Sequence, residues 1–147
     1  MAERFEDERG VIQDLLGRVD AVTEIVTHPG CVRGNHVHKF TQQWVYVASG
    51  TMWTNEDGKE TLRRPGDFFQ ERAQVPHAWK AERECTVLVF AIGPRAGPDF
   101  EDDTWRLPPE QHLYQVVCGA CHKPASPGHP LSVVTGHRRY HKVCPQP

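Results

Sequence analysis

The chain has 147 residues, 38% of them hydrophobic and 24% charged, with a net charge of -2, the balance of a folded protein with one ordinary core and room for an appendage. Its longest apolar run, Val87 to Ile92, falls far short of the roughly 18 residues that span a bilayer. Its first residues include Glu3, Arg4, Glu6, Asp7, Glu8 and Arg9 where a secretory leader would be apolar, so membrane and secreted classes are set aside and a cytoplasmic location is expected.

Twelve Gly and twelve Pro interrupt the chain too often for a helical bundle and point to an all-β fold. In chain order, the apolar stretches 11–16 and 19–27, separated by Gly17, read as an opening pair of strands. Pro29-Gly30 makes a turn, and strands follow over 32–38, 41–48 and 51–54, divided by Ser49-Gly50. The turn 55–58, a strand over 60–64, the Pro65-Gly66 turn and strands over 67–70, 76–81 and 85–92 continue the rhythm to Gly93-Pro94. This spacing predicts a sandwich or barrel with no convincing helix. Residues 93–106 look unable to extend a sheet and read as an arm over the barrel, giving a barrel over 1–106, a connector over 107–117 and an extension over 118–147.

Charge and cysteine divide along the same line. Residues 1–111 hold all 19 acidic residues against 13 Lys and Arg, a net of -6, whereas 112–147 holds Lys123, Arg138, Arg139 and Lys142 and no acid, a net of +4. Cys31 and Cys85 stand alone, but Cys118, Cys121 and Cys144 crowd the extension with His137 and His141. The pattern C-x2-C-x19-H-x2-C, with Gly119 easing the first turn, brings two closely spaced pairs to one tetrahedral ion. A structural zinc held by Cys118, Cys121, His141 and Cys144 is therefore expected, with His137 as the competing fourth ligand; the segment resembles the zinc knuckles of LIM-type and treble-clef modules. Such a closed site serves structure, and zinc binding can order a segment too short to bury a core. Nucleic-acid binding by the tail is disfavoured, because four basic residues make a modest patch and no recognition helix is visible.

His36 and His38 are one residue apart, so on a strand both rings leave the same face about 6.6 Å apart along the chain. With Gln43, Gly50, Pro65-Gly66-Asp67 and Val75-Pro76-His77, the arrangement resembles the two motifs of the cupin superfamily. The resemblance implies a double-stranded β-helix, or jelly-roll, barrel whose first motif supplies two His and usually a Glu and whose second supplies a third His. By position, His36, His38, Gln43 and His77 would surround one metal, with Gln43 where Glu is commoner. A shell of neutral imidazoles and an amide leaves the ion's positive field uncompensated and suits Zn, Fe, Ni, Co or Mn.

A narrower resemblance rests on residues 5–10, 29–39 and 93–107. It is to small bacterial cupins related to nucleotide-sugar epimerases and ketoisomerases of surface-polysaccharide synthesis. That resemblance implies a His base beside a keto sugar, His36 or His38, with Arg33 and Lys39 facing phosphates, and a homodimer, since related cupins commonly pair.

The expected function is thus a metal-binding cupin, an enzyme of isomerase or epimerase type acting on a small polar keto or sugar-like substrate. A metal-free variant would use the same histidines as acid and base. The alternative from another class is a non-catalytic small-ligand binder whose zinc tail recruits a protein or nucleic acid. Trp79, two residues from His77 on the same strand face, is the first candidate among the aromatics to line a pocket; the proton carrier has no signature in the sequence.

Overall fold

The computed structural model of the protein describes residues 3–117, 120, 121 and 123, together with the backbone of two short strands, Val133–Thr135 and Arg138–Tyr140. Ten strands precede residue 93: β1 (Arg4–Asp7), β2 (Gly10–Gln13), β3 (Ala21–Thr27), β4 (Val32–His38), β5 (Gln42–Ser49), β6 (Met52–Glu56), β7 (Lys59–Arg63), β8 (Phe68–Glu71), β9 (His77–Ala81) and β10 (Cys85–Ile92). A short helix α1 (Gly97–Asp103) and strand β11 (Thr104–Arg106) follow, and the two short strands, β12 and β13, pair as an antiparallel hairpin.

Two antiparallel sheets form the body, a four-stranded one in the order β3-β10-β5-β8 and a five-stranded one in the order β11-β4-β9-β6-β7. Each strand sends alternate residues inward. Cys85, Val87, Val89 and Ala91 of β10 are buried, and their neighbours on β5, Gln43, Val45 and Val47, are buried with them. These residues meet Met52, Trp79 and Ala81 from the second sheet in one core, with Ile25 and Phe69 packed against it. Burying each large apolar side chain contributes about 1.5–3 kcal/mol. The turn between β5 and β6 requires Gly50: at φ +76, a Cβ there would lie 2.0 Å from the Glu84 carbonyl oxygen.

Three expectations change. Strand β2 does not pair with β3; it forms a separate hairpin with β1, residue for residue from Arg4↔Gln13 to Asp7↔Gly10. The charged run at the start of the sequence contains β1, with Asp7 Oδ1 accepting from the Arg9 backbone N–H at the turn. Residues 93–106 contain a helix and a strand: α1 has Pro98 in its first turn, where its fixed φ suits a helix start, but seven residues are too few to show helical periodicity. Strand β11 then joins the sheet edge beside His38 and His36 of β4. Finally, Trp79 is 6% exposed and belongs to the core.

The segment after β11 is tied to the barrel by Asn35. Its backbone oxygen accepts from Leu107 N, its side-chain oxygen accepts from the N–H groups of Leu113 and Tyr114, and its Nδ2 donates to the Tyr114 carbonyl.

Candidate metal centre in the barrel

Strands β4 and β9 build the centre, and an irregularity in their pairing aims it. Arg33 stands opposite Trp79 and Gly34 opposite Ala78, but His36 stands opposite His77, leaving Asn35 as an extra residue. Such a bulge reverses the parity of the strand beyond it. His36 and His38 consequently face inward with His77 and Trp79, and Asn35 turns to hold the following segment. The local backbone meets this demand with Gly34 at φ +84 and Asn35 at φ +55. Gly34 is needed doubly, because a Cβ there would lie 2.8 Å from the His77 carbonyl oxygen.

The three histidines expected from separate stretches of chain do converge. Each offers a ring nitrogen within 4.8 Å of the others. His36 Nε2 and His77 Nε2 are 3.0 Å apart, within the range of about 3.0–3.4 Å spanned by two imidazole nitrogens on one tetrahedral or octahedral ion at ~2.1 Å. His77 Nδ1 lies 3.2 Å from the Val75 carbonyl, to which it can only donate, so its Nε2 presents a lone pair to the centre. His38 is 1% exposed; its Nδ1 is 3.3 Å from Asp103 Oδ2 and 3.3 Å from Thr104 Oγ1. Among the described residues its Nε2 is buried without a hydrogen-bond partner, and a buried lone pair with nothing to accept is what a metal ligand presents. The residues therefore suit a divalent metal held by three neutral imidazoles.

Electrostatics keep His36 and His38 neutral. Burial, reinforced by repulsion from His77 and from His38, pushes the His36 pKa down to about 3. Burial and His77 push His38 down to about 4, against the opposing pull of Asp103. Neutral imidazole is the form that binds metal. Burial works against ionisation of Asp103, but hydrogen bonds from Thr41 and the Phe40 backbone N–H hold its carboxyl below the ordinary range. The negative charge of Asp103 Oδ2, 3.3 Å from His38 Nδ1, favours a proton on Nδ1 and so the tautomer that leaves Nε2 free.

Gln43 is buried on the same inward face, but its amide is engaged. Nε2 donates to Glu71 Oε2 at 3.0 Å, and Oε1 accepts from Arg95 Nη1 at 2.6 Å. Glu71, opposite Gln43 on β8, is 6% exposed and reaches to 3.6 Å from His77 Nε2. Burial raises its pKa. Glu71, Arg95 and Asp103 are the site residues that sequence reasoning did not assign; an inward acid or base on an otherwise apolar strand face is the signal that Glu71 carries. Arg33 donates from Nε to Thr27 Oγ1 and from Nη2 to the Val26 carbonyl, so it is committed to β3 of the other sheet. Lys39 borders an open hollow of about 730 Å³ with Asp20, Phe40, Asp99, Asp102 and Asp103; of these only Asp103 also touches the histidine centre. On the side of Glu71 and His77 away from His36 and His38, a small cavity of about 10 Å³ is lined by Asn55, Arg63 and Gln70 among others.

Of the expected tail site, Cys118, His141 and Cys144 lie outside the described residues, as does His137; Cys121 is described and exposed.

Comparison with known proteins agrees with this geometry. The cupin domain family model matches residues 23–93, the span from β3 to Gly93 that holds all three histidines. The chain superposes on the capsular polysaccharide assembling protein CapF from Staphylococcus aureus over 73% of this chain and 34% of that one, at 17% identity and a TM-score of 0.54. It superposes on QdtA, a sugar 3,4-ketoisomerase from Thermoanaerobacterium thermosaccharolyticum solved with TDP, over 71% of this chain and 83% of that one, at 19% identity and a TM-score of 0.53. Quercetin 2,3-dioxygenase from Bacillus subtilis (strain 168) is 32% identical over 62 residues, 41% of this chain and 18% of its own length. The chain thus spans less than a fifth of that curated relative and about a third of CapF. Among the described residues no helix is long and apolar enough to cross a membrane.

Proposed function

We propose that this chain is a metal-dependent cupin enzyme that isomerises or epimerises a small, polar, keto-bearing, sugar-like substrate by moving a proton at a carbon beside the carbonyl. The observation that carries this reading is the convergence of His36, His38 and His77 with the buried Nε2 of His38 left without a partner among the described residues. These three residues would hold a Zn, Fe, Ni, Co or Mn ion, which when bound polarises a carbonyl and stabilises the enolate. The proton work falls to the chain. Glu71 is the candidate carrier: its Oε2 is oriented by the Gln43 amide and adjoins the centre at 3.6 Å from His77 Nε2, and burial, which raises its pKa, helps it hold and return a proton. Gln43, expected as a fourth ligand, would then act by clamping Glu71 and would join the ion only on releasing Arg95. Substrate would approach past His36, the most exposed of the three rings. The likeness to QdtA supports a sugar-like substrate.

The test is solvent exchange. Metal-loaded protein incubated with a panel of keto sugars and keto acids in deuterium oxide should place deuterium beside the carbonyl of at least one, as read by NMR, and Glu71→Gln should abolish it. Absence of exchange across the panel with fully loaded protein contradicts the reading. A second reading, acid–base chemistry by the histidines without metal, is favoured by the same 3.0 Å His36–His77 contact, which is also the length of a plain imidazole hydrogen bond; metal content separates the two.

The proposal extends to assembly and to the tail. The β1–β2 hairpin leaves Phe5 57% and Ile12 66% exposed, and an isolated two-stranded hairpin is marginal in water; a cytoplasmic homodimer would cover it. Cys118, Cys121 and Cys144, with His141 or His137, would hold a structural zinc.

A further inference from the structure

Arg95 follows β10 just beyond Gly93-Pro94 and is partly buried. Its Nη1 donates to Gln43 Oε1, the same amide that donates to Glu71, which in turn adjoins His77. The guanidinium therefore stands at the end of a polar chain leading into the histidine centre. Its positive field reaches both His36 and His38, disfavouring protonation of each.

Other arginines around the barrel are answered. Arg106, opposite His36, holds Glu101 in a two-pronged ion pair of 2.7 and 3.1 Å. Arg33 is bound to Thr27 and Val26, and Arg63 lies over the Phe69 ring while donating to Thr54. Like Arg33 and Arg63, Arg95 forms no ion pair with a carboxylate within 4.0 Å among the described residues; it differs at Nε. Its Nε is buried with no acceptor, and the nearest acid that acts on it, Glu71, connects to it through the Gln43 amide. A guanidinium is never neutral in a protein and presents its N–H groups as a rigid planar fork. Gln43 fixes that fork through Nη1, and the buried Nε is left without an acceptor among the described residues.

We infer that Arg95 is the oxyanion-binding residue of this site and takes a carboxylate or phosphate group carried by the substrate. This rests on the proposed reading of the barrel interior as the substrate site, and it narrows the substrate to an anionic keto compound. Both candidate groups match the fork, since each offers two oxygens for parallel N–H···O bonds. Binding at Arg95 orients the molecule: with its charged end on the guanidinium, its carbonyl is directed toward the histidines and Glu71.

The experiment uses the full chain, stripped of metal so that chelation contributes nothing, titrated calorimetrically with malonate, with inorganic phosphate and with uncharged malonamide. Saturable binding of malonate or phosphate, but not malonamide, is expected. Tighter malonate identifies a carboxylate-bearing ligand, and tighter phosphate a phosphorylated one. Arg95→Gln should weaken the anion about 10–100-fold, and Arg95→Lys, which keeps the charge without the fork, should fall between. Equal affinity of wild type and Arg95→Gln, or no saturable anion binding to wild type, overturns the inference. Should the variants not fold, phenylglyoxal modification of wild type supplies the readout: the tighter-binding anion should protect Arg95 in peptide mass spectra, and unprotected Arg95 overturns the inference. Elemental analysis keeps the two claims apart. Protein that purifies without metal yet loses malonate with Arg95→Gln defeats the metal reading alone, whereas metal-bearing protein whose Arg95→Gln form binds anions normally defeats the role of Arg95 alone.

Discussion

Replacing Asp103 by Asn changes almost no volume and reverses one proton. In the native site the negative carboxylate oxygen 3.3 Å from His38 Nδ1 favours a proton on that nitrogen and so offers the Nε2 lone pair to the centre. An Asn could still accept from the Phe40 backbone N–H, which is 2.8 Å from Asp103 Oδ1. Its NH₂ would then face His38 Nδ1, favour the other tautomer and place a proton on Nε2, where the metal should bind. Loss of such a partner of a ligating His typically costs 10–100-fold in metal affinity, about 1.4–2.7 kcal/mol. Because the imidazole can still be forced into the binding tautomer, affinity should fall without vanishing. Competition of the zinc-loaded protein against a chromophoric chelator measures it directly, and circular dichroism confirms that the variant folds. A folded Asp103→Asn protein that binds zinc within twofold of wild type refutes the argument that Asp103 sets the His38 tautomer.

The pH dependence of metal-free protein has a definite sign. His36 and His38 have folded pKa values of about 3 and about 4, below the ordinary 6.5, so the unfolded chain binds the protons first and stability is lost as pH falls from 6.5 toward 4. His38 alone contributes about 3 kcal/mol. Glu71, with its raised pKa, acts oppositely and costs stability as pH rises through its folded value. Urea titrations of stripped protein at pH 4.5 and 6.5 should show the larger stability at 6.5; a flat or inverted profile counts against neutral buried rings. Gly34→Ala should destabilise by about 1–3 kcal/mol from the φ of +84 alone, with further loss from the 2.8 Å approach to the His77 carbonyl, and should weaken metal binding; a variant matching wild type in both would mean the bulge does not aim the site. Deleting residues 1–14 removes the hairpin and should convert a dimer to monomer in sedimentation analysis, and a wild-type protein that sediments as a monomer at micromolar concentration contradicts the assembly.

How far the sequence could be read depended on the range of the forces involved. Strands with strict alternation, such as Cys85–Ile92, and turns that need a glycine, such as Gly50 and Gly66, are local features and were legible, as was the meeting of His36, His38 and His77 through motif spacing. The reason His36 and His38 face inward was not legible, because the bulge at Asn35 exists only in the pairing of β4 with β9. Helix α1 and strand β11 were hidden by brevity, and β1 by its charges. Gln43 looked like a ligand because its position points inward; its actual partners, Glu71 and Arg95, come from β8 and from the turn after β10, and only the folded sheets bring them to one amide. Trp79 likewise shares the face of His77 but packs into the core.

Elemental analysis of protein purified without added metal tests the barrel centre most directly, run in parallel on wild type, His38→Ala and Cys118→Ser. The account predicts two metal equivalents in wild type, with one lost in each variant and the one lost from His38→Ala belonging to the barrel. Wild-type and His38→Ala chains carrying the same metal content would contradict it.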